Sequence, residues 1–232
     1  MKKLLIPVAA LCGVLAIPLL AQDKPKDPPK PAAAPVAEAP KKNEPLKIGA
    51  TVDEKLTVRD IDGKEMSFKD LRGKVVFIHF WSTSCPFEKN ANPKTIALAD
   101  MYKGKDVVCL AIDANSGEIG TPPAKDAKPA DCYTDIRKHL AAEKMSFPVY
   151  VDHGNKLADL FGAQHTPHCF VINQKGVLVY AGGLDNDPQN EKGKDAKQYV
   201  KDAIDQTLAG KEVTTKTSEA YGCGIKRMKV GA

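Results

Sequence analysis

The stretch Lys74–Trp81 (KVVFIHFW), followed by Ser82-Thr83-Ser84 and then Cys85-Pro86, constrains the fold of this 232-residue chain more than any other segment. A nearly continuous apolar, β-branched run of this kind reads as a strand buried on both faces, hence the middle of a sheet covered by helices. Pro86 pre-sets the first turn of a helix that the pattern carries to about Lys103. Cys85 therefore stands where the buried strand gives way to the helix. A helix N-terminus presents unpaired N–H groups and a partial positive charge, which favour a thiolate over a thiol. An arbitrary cysteine is most often inert packing; the order strand, turn, Cys, Pro, helix reverses that expectation.

The pattern around this unit alternates between strands and helices. Leu56–Asp60 and Glu65–Phe68 flank Asp62-Gly63 as a β-hairpin. Val107–Asp113 is a second buried strand, followed by a polar, proline-rich insertion over 115–130 and a helix from Asp131 to Met145 with Cys132, Ile136 and Leu140 on one stripe. Phe147–Asp152 reads as a short strand, and Asn155–Phe161 as a short helix closed by Gly162. Cys169–Asn173 and Val177–Ala181 form a hairpin, and a last helix runs from Asp195 to Leu208 before Gly210. The fold class is α/β: a central mixed sheet covered by helices, with an N-terminal hairpin. Residues 211–232 show no periodicity and read as a mobile tail.

The N-terminus reads as an address. Lys2 and Lys3 precede an apolar run from Leu4 to Leu20, with small Ala21 before polar Gln22. Those are the parts of a secretory signal over residues 1–21, and Pro7 and Pro18 favour cleavage over a permanent anchor. A lipid anchor on Cys12 is disfavoured by bulky Leu11. Residues 22–46 are rich in Pro, Ala and Lys and predict an extended, disordered linker. One globular domain over 47–210 and a tail over 211–232 complete the organisation. The expected location is exported, periplasmic or extracellular, with no membrane span after signal cleavage. The net charge of +5 drops by two once Lys2 and Lys3 are removed, and the rest is interspersed, which argues against a nucleic-acid partner.

Five cysteines lie beyond the signal: Cys85, Cys109, Cys132, Cys169 and Cys223. An odd number in an exported chain leaves a free thiol or an intermolecular bond. Their spacing matches neither a dense disulfide framework nor paired zinc knuckles, so at least one thiol is there for chemistry.

At this point the chain resembles the thioredoxin superfamily, specifically the AhpC/TSA-like redoxins and the secreted TlpA/ResA-like thioredoxins. The resemblance covers about Leu46 to Gly210 and rests on the lead-in IGATVDEKLTVRDIDGKEMSFKDLRGKVVFIHFW, Trp81 four residues before Cys85, Pro93 in the helix, and Thr166-Pro167 before Phe170-Val171-Ile172. It implies a thioredoxin-like fold and a cis Thr166–Pro167 bond beside the active cysteine. Glu88 stands where thioredoxins carry their second cysteine, so a mixed disulfide at Cys85 lacks that resolving neighbour. Peroxiredoxins place Glu after Cys-Pro-X and Ser or Thr at the position of Ser82, but a proline where this chain has Ile78, and their arginine aligns with Pro167. Within the broad family the chain most resembles a peroxiredoxin-like group whose members end near a Gly-Cys-X-Ile-Lys tail, here Gly222 to Lys226.

The candidate site is thus Cys85, Glu88, Trp81, His79, Thr166 and Pro167. His79, where thioredoxins have a buried acid, either relays protons to Cys85 or is a core histidine satisfied by backbone. Glu88 suits the helix dipole and opposes thiolate formation at Cys85 by its charge. Candidates to resolve Cys85 rank as Cys223, then Cys169, then Cys132; Cys109 is packing in a buried strand. The leading function is a thiol-based oxidoreductase, reducing a protein disulfide or a peroxide and recharged by a thiol reductant, with no cofactor. A Cu(I)- or Zn(II)-handling site of Cys85, His165, His168 and Cys169 is an alternative, weakened by Lys89 at the second cysteine of the copper-carrying pattern. A redoxin-shaped binding module without turnover is the other.

Overall fold

A computed structural model describes residues 44–228. The expected signal (1–21) and residues 22–43 of the expected linker lie outside the described residues. Among the described residues no helix is long and apolar enough to cross a membrane.

Seven strands form one mixed sheet: β1 (Thr57–Asp60), β2 (Glu65–Ser67), β3 (Val75–Trp81), β4 (Val107–Asp113), β5 (Val149–Val151), β7 (His168–Ile172) and β8 (Leu178–Gly182), in the order β2-β1-β5-β4-β3-β7-β8. β3 runs parallel to β4 and antiparallel to β7, and every one of its residues is buried. That is what the run Val75–Trp81 demands, because apolar side chains leave it on both faces. Val75 and Phe77 pack against α1 (Pro86–Met101) and α5 (Tyr199–Leu208). Val76, Ile78 and Phe80 join Phe170 and Phe161, the last residue of α4 (Lys156–Phe161), on the other face. The Phe80 and Phe170 rings meet edge-on at 5.8 Å, a preferred aromatic geometry. The architecture is a thioredoxin-like fold, and the Thr166–Pro167 bond in the loop before β7 is cis.

Some element boundaries differ from the sequence reading. The insertion contains a short helix, α2 (Ser116–Ile119), and the next helix, α3 (Thr134–Glu143), starts later than expected. Cys132 therefore does not open a helix but lies in the turn before it, next to Tyr133 with φ 54°. Asp195 belongs to a separate 3-10 turn, and α5 begins at Tyr199. The folded region also begins slightly before residue 47: the Leu46 side chain is buried and its N–H donates to Leu160 O at 2.8 Å.

The larger correction concerns the tail. Residues 211–228 are not a mobile appendage but fold back over the end of the sheet. Thr217 bridges Ala181, and β9 (Cys223–Gly224) pairs antiparallel with β6 (His165–Thr166). Periodicity could not find this segment because single side chains and backbone pairs hold it, not an apolar face. Val213 and Ile225 are its buried apolar residues.

Candidate functional site

Cys85 is the N-cap residue of α1, with extended backbone (φ −79°, ψ 120°) and Pro86 beginning the helix. Its own N–H donates to Ser82 Oγ at 3.2 Å, and Glu88 N–H donates to Cys85 O at 3.0 Å, so both sides of the residue are fixed. The side chain is 5% exposed, and Sγ donates to the Thr166 carbonyl at 2.9 Å. The strand–turn–helix unit and the cis-proline loop thus meet at one sulfur. Trp81 is fully buried and donates from Nε1 to Asn92 Oδ1 at 2.9 Å, tying the end of β3 to the second turn of α1.

The first turn of α1 also holds one half of a buried pair. His79 Nε2 is 3.2 Å from Glu88 Oε1 and 3.0 Å from Oε2, and both side chains are 1% exposed. His79 Nδ1 has no partner among the described residues, so the histidine is bound to a carboxylate and not satisfied by backbone. Burial pushes the Glu88 carboxyl above its ordinary value, and His79 pulls it partly back. A raised folded value means the folded state keeps a proton that the unfolded chain gives up near pH 4.5. The Glu88 contribution is therefore most favourable below that pH and is lost as pH rises through the folded value. Glu88→Gln keeps a hydrogen-bonding partner for His79 and removes the ionisation. The variant is expected to show a flatter stability–pH curve above pH 4.5 and to gain on the order of 1 kcal/mol at pH 8, measured by urea melts. An unchanged slope would show that the Glu88 carboxyl does not titrate across this range.

A residue that sequence reasoning missed organises the turn before Cys85. Glu118 on α2 accepts from Ser82 Oγ at 2.6 Å, Thr83 N–H at 2.7 Å, Ser84 N–H at 3.3 Å and Ser84 Oγ at 2.5 Å. Burial alone would raise its carboxyl, but these donors outweigh it and hold the carboxyl below its ordinary value. Asp113, fully buried beside it, is pushed well above its ordinary value by burial first and by Glu118 next. Glu118 sits in a stretch that reads as polar insertion, and nothing local in the sequence ties it to residues 82–84.

The cysteines fall into different settings. Cys223 lies opposite Thr166 in the β6–β9 pair. Its thiol is pushed up to about 11, by burial first and then by a hydrogen bond to, and the charge of, the neighbouring Cys85. Cys169 lies across from His79 in the β3–β7 ladder, fully buried among Phe77, Val171 and Tyr180, and burial raises its thiol far above the ordinary value. Cys109 is held up at about 12, also by burial. Cys132 donates to Lys128 O at 3.4 Å and lines an approximately 810 Å³ groove between the β1–β2 hairpin and the insertion. The structure therefore brings Cys85 to Cys223 and leaves Cys169 as core.

The four residues of the metal alternative are not gathered into one ligand set. His168 stacks on Phe170 at 4.5 Å and accepts from Gln164 N–H, on the opposite face of β7 from Cys169. Burial lowers the His168 imidazole to about 4. Among the described residues no group of three His, Cys, Asp or Glu side chains is arranged to hold a metal ion.

Comparison with known proteins places the chain in a family. The chain is 28% identical to the thiol-disulfide oxidoreductase ResA of Halalkalibacterium halodurans over 129 residues, covering 55% of this chain and 65% of that protein. It is 32% identical to the protein of that name from Bacillus thuringiensis over 123 residues, covering 53% and 62%. The chain thus spans less than two thirds of the length of either relative. A solved structure of a hypothetical protein from Sinorhizobium meliloti superposes with a TM-score of 0.66 at 25% identity, covering 79% of this chain and 96% of that one. The AhpC/TSA family model matches residues 48–181, from the lead-in before β1 through the cis-proline loop into β8, and the chain belongs to the AhpC/TSA family.

Proposed function

We propose that this chain is an exported thiol oxidoreductase in which Cys85 is the attacking sulfur and Cys223 resolves the product. The observation that carries this is the neighbouring Cys85–Cys223 pair at the start of α1, held by the β6–β9 pairing. The Cys85 thiolate attacks one atom of a disulfide or hydroperoxide bond; that bond breaks, and the leaving thiolate or hydroxyl takes a proton. Cys223 then attacks Cys85 Sγ, forming the Cys85–Cys223 disulfide and releasing the remaining thiol or water. Two electrons pass from the two cysteines to the substrate, and a dithiol reductant returns them.

The β6–β9 pairing that sets Cys223 opposite Thr166 suits this order, because the Thr166 carbonyl also receives the Cys85 thiol. Thr166, before cis Pro167, contributes the carbonyl beside Cys85, Trp81 fixes the strand end, and Glu88, in the first turn of α1, forms a buried pair with His79. Export is supported by Lys2, Lys3 and the apolar run to Leu20. The names of the ResA relatives favour disulfide chemistry.

Mass spectrometry of the oxidised protein after alkylation and proteolysis tests the proposal. One intramolecular Cys85–Cys223 crosslink is expected, with Cys109 and Cys169 still as thiols. Oxidation that leaves Cys223 free and joins Cys85 to another cysteine would remove Cys223 from the role.

A further inference from the structure

The chain from Ser218 to Met228 is anchored more heavily than the delivery of one cysteine requires. Tyr221 OH donates to buried Asp185 at 3.0 Å on one side of Cys223. On the other side Ile225 is buried in the core and its N–H donates to Gln164 O at 2.9 Å. Lys226 N–H donates to Asn115 Oδ1 at 3.0 Å, and Arg227 donates to Asp159 at 2.9 Å and to Ala163 O at 2.6 Å. The segment is a strap fastened at both ends.

The strap lies on a particular edge. An extended polypeptide that offers its sulfur to Cys85 needs backbone to pair with, and strand addition to an open edge is the general means. The edge beside Cys85 is Thr166, whose carbonyl receives the Cys85 thiol, and Cys223 already pairs with it. Nothing fits between them. A Cβ on Gly222 would stand 2.1 Å from Thr166 O, and Gly222 has φ +120°, so the strap passes there as bare backbone in contact. Cys223 thus sits where the cysteine of a bound peptide would sit. Ser84 and Pro86 on either side of Cys85 are exposed and Phe87 is half-buried, while Cys85 itself is 5% exposed, a narrow opening that suits a compact molecule.

We propose that the strap is a built-in competitor for the strand-binding edge, confining Cys85 to small oxidants with a polarised S–S or O–O bond and excluding polypeptide disulfides. The inference rests on Cys85 being the attacking sulfur. With a small disulfide, Cys85 bonds to one sulfur and the other leaves as a thiol; with a hydroperoxide, the O–O bond breaks and Cys85 becomes a sulfenic acid. Cys223 closes either cycle by bonding to Cys85 and expelling the second thiol or water.

The test uses the reduced full chain and three probes: dithiobis(nitrobenzoate), hydrogen peroxide and disulfide-bonded insulin. The rate of Cys85 loss in the first turnover is read by quenched alkylation. The faster of the two small probes is expected to react at least about 100-fold faster than insulin, and the two small arms identify which bond is preferred. Ile225→Glu frees the strap and is expected to raise the insulin rate by about 10-fold or more, as the open fraction rises, while both small-probe rates stay within about threefold. Ile225→Ala, a milder release, should move the insulin rate in the same direction if the Glu variant does not fold. Equal insulin rates in the strapped and released chains would overturn the proposal, as would insulin reacting with the native chain as fast as the small probes. Failure of the underlying reading looks different, because the small-probe reaction would then persist in Cys85→Ser.

Discussion

Cys85→Ser is expected to remove both disulfide exchange and peroxide reduction, by at least about 10³-fold, while changing stability by less than about 1 kcal/mol. The asymmetry follows from the geometry. The residue is fixed by its backbone: its N–H donates to Ser82 Oγ, its carbonyl accepts from Glu88 N–H, and Pro86 starts the helix. Serine preserves all three, and its hydroxyl can still donate to the Thr166 carbonyl. Serine is also a good N-cap residue, which Cys85 is not, since its sulfur makes no capping bond. What disappears is the one polarisable atom that can attack and leave at sulfur. The measurement is single-turnover oxidation of the pre-reduced protein, beside a urea melt of the same sample. Residual exchange near the native rate would move the chemistry to another thiol, and Cys132 in its open groove would be first to examine.

The scaffold was legible in the sequence because it follows from local rules. Seven consecutive residues of β3 are buried, as the apolar run requires, and β4 falls on the residues its apolar run marks. Helix α4 ends at Gly162 with φ 67°, the conformation for which glycine is the usual C-terminal residue. Cys85 could be located because both of its flanking elements announce themselves within ten residues. What surrounds it could not. Glu118 reaches residues 82–84 from a stretch with no periodicity, and its role exists only in the contacts it accepts. The same holds for the strap, gripped by backbone donors to Asn115 and Gln164 and by the isolated side chains of Tyr221, Ile225 and Arg227. A tail held this way has no amphipathic face to display. Its one local sign was the glycine pair around Cys223, with Gly222 required by the close approach to Thr166.

Strand parity decided among the cysteines. Cys169 lies two residues past the cis proline, close in sequence to the site, yet alternation along β7 turns it to the face of Phe77 and Tyr180. His168, one residue earlier, turns to the face of Phe170. The same alternation separates two members of the metal alternative and buries Cys169 in the core between the sheet and α1. His79 and Glu88 meet because β3 and the first turn of α1 face one another across that side of the sheet. Glu88, half of this buried pair, stands at the position of the second cysteine of a CxxC site.

Cys223→Ser should convert a catalyst into a reagent. The first turnover depends on Cys85 alone, so the burst of substrate consumption is expected at close to one equivalent per chain and within about threefold of the native rate. Steady-state turnover with a dithiol reductant should then fall by about 100-fold or more, because the mixed disulfide or sulfenic acid at Cys85 has lost its internal partner. The effective concentration of Cys223 explains the size: β6–β9 pairing holds it beside Cys85, and an external thiol must reach the same sulfur through a site in which Cys85 is 5% exposed. Cys169→Ser and Cys132→Ser are the controls, expected to leave both phases intact; the first can lose some stability because that thiol is fully buried in the core. Intact-mass spectrometry after one turnover reads the outcome directly, as an adduct on the Cys223→Ser chain and none on the controls. Full steady-state turnover by Cys223→Ser would mean that the reductant reaches Cys85 unaided, and the strap would then serve only to narrow the site.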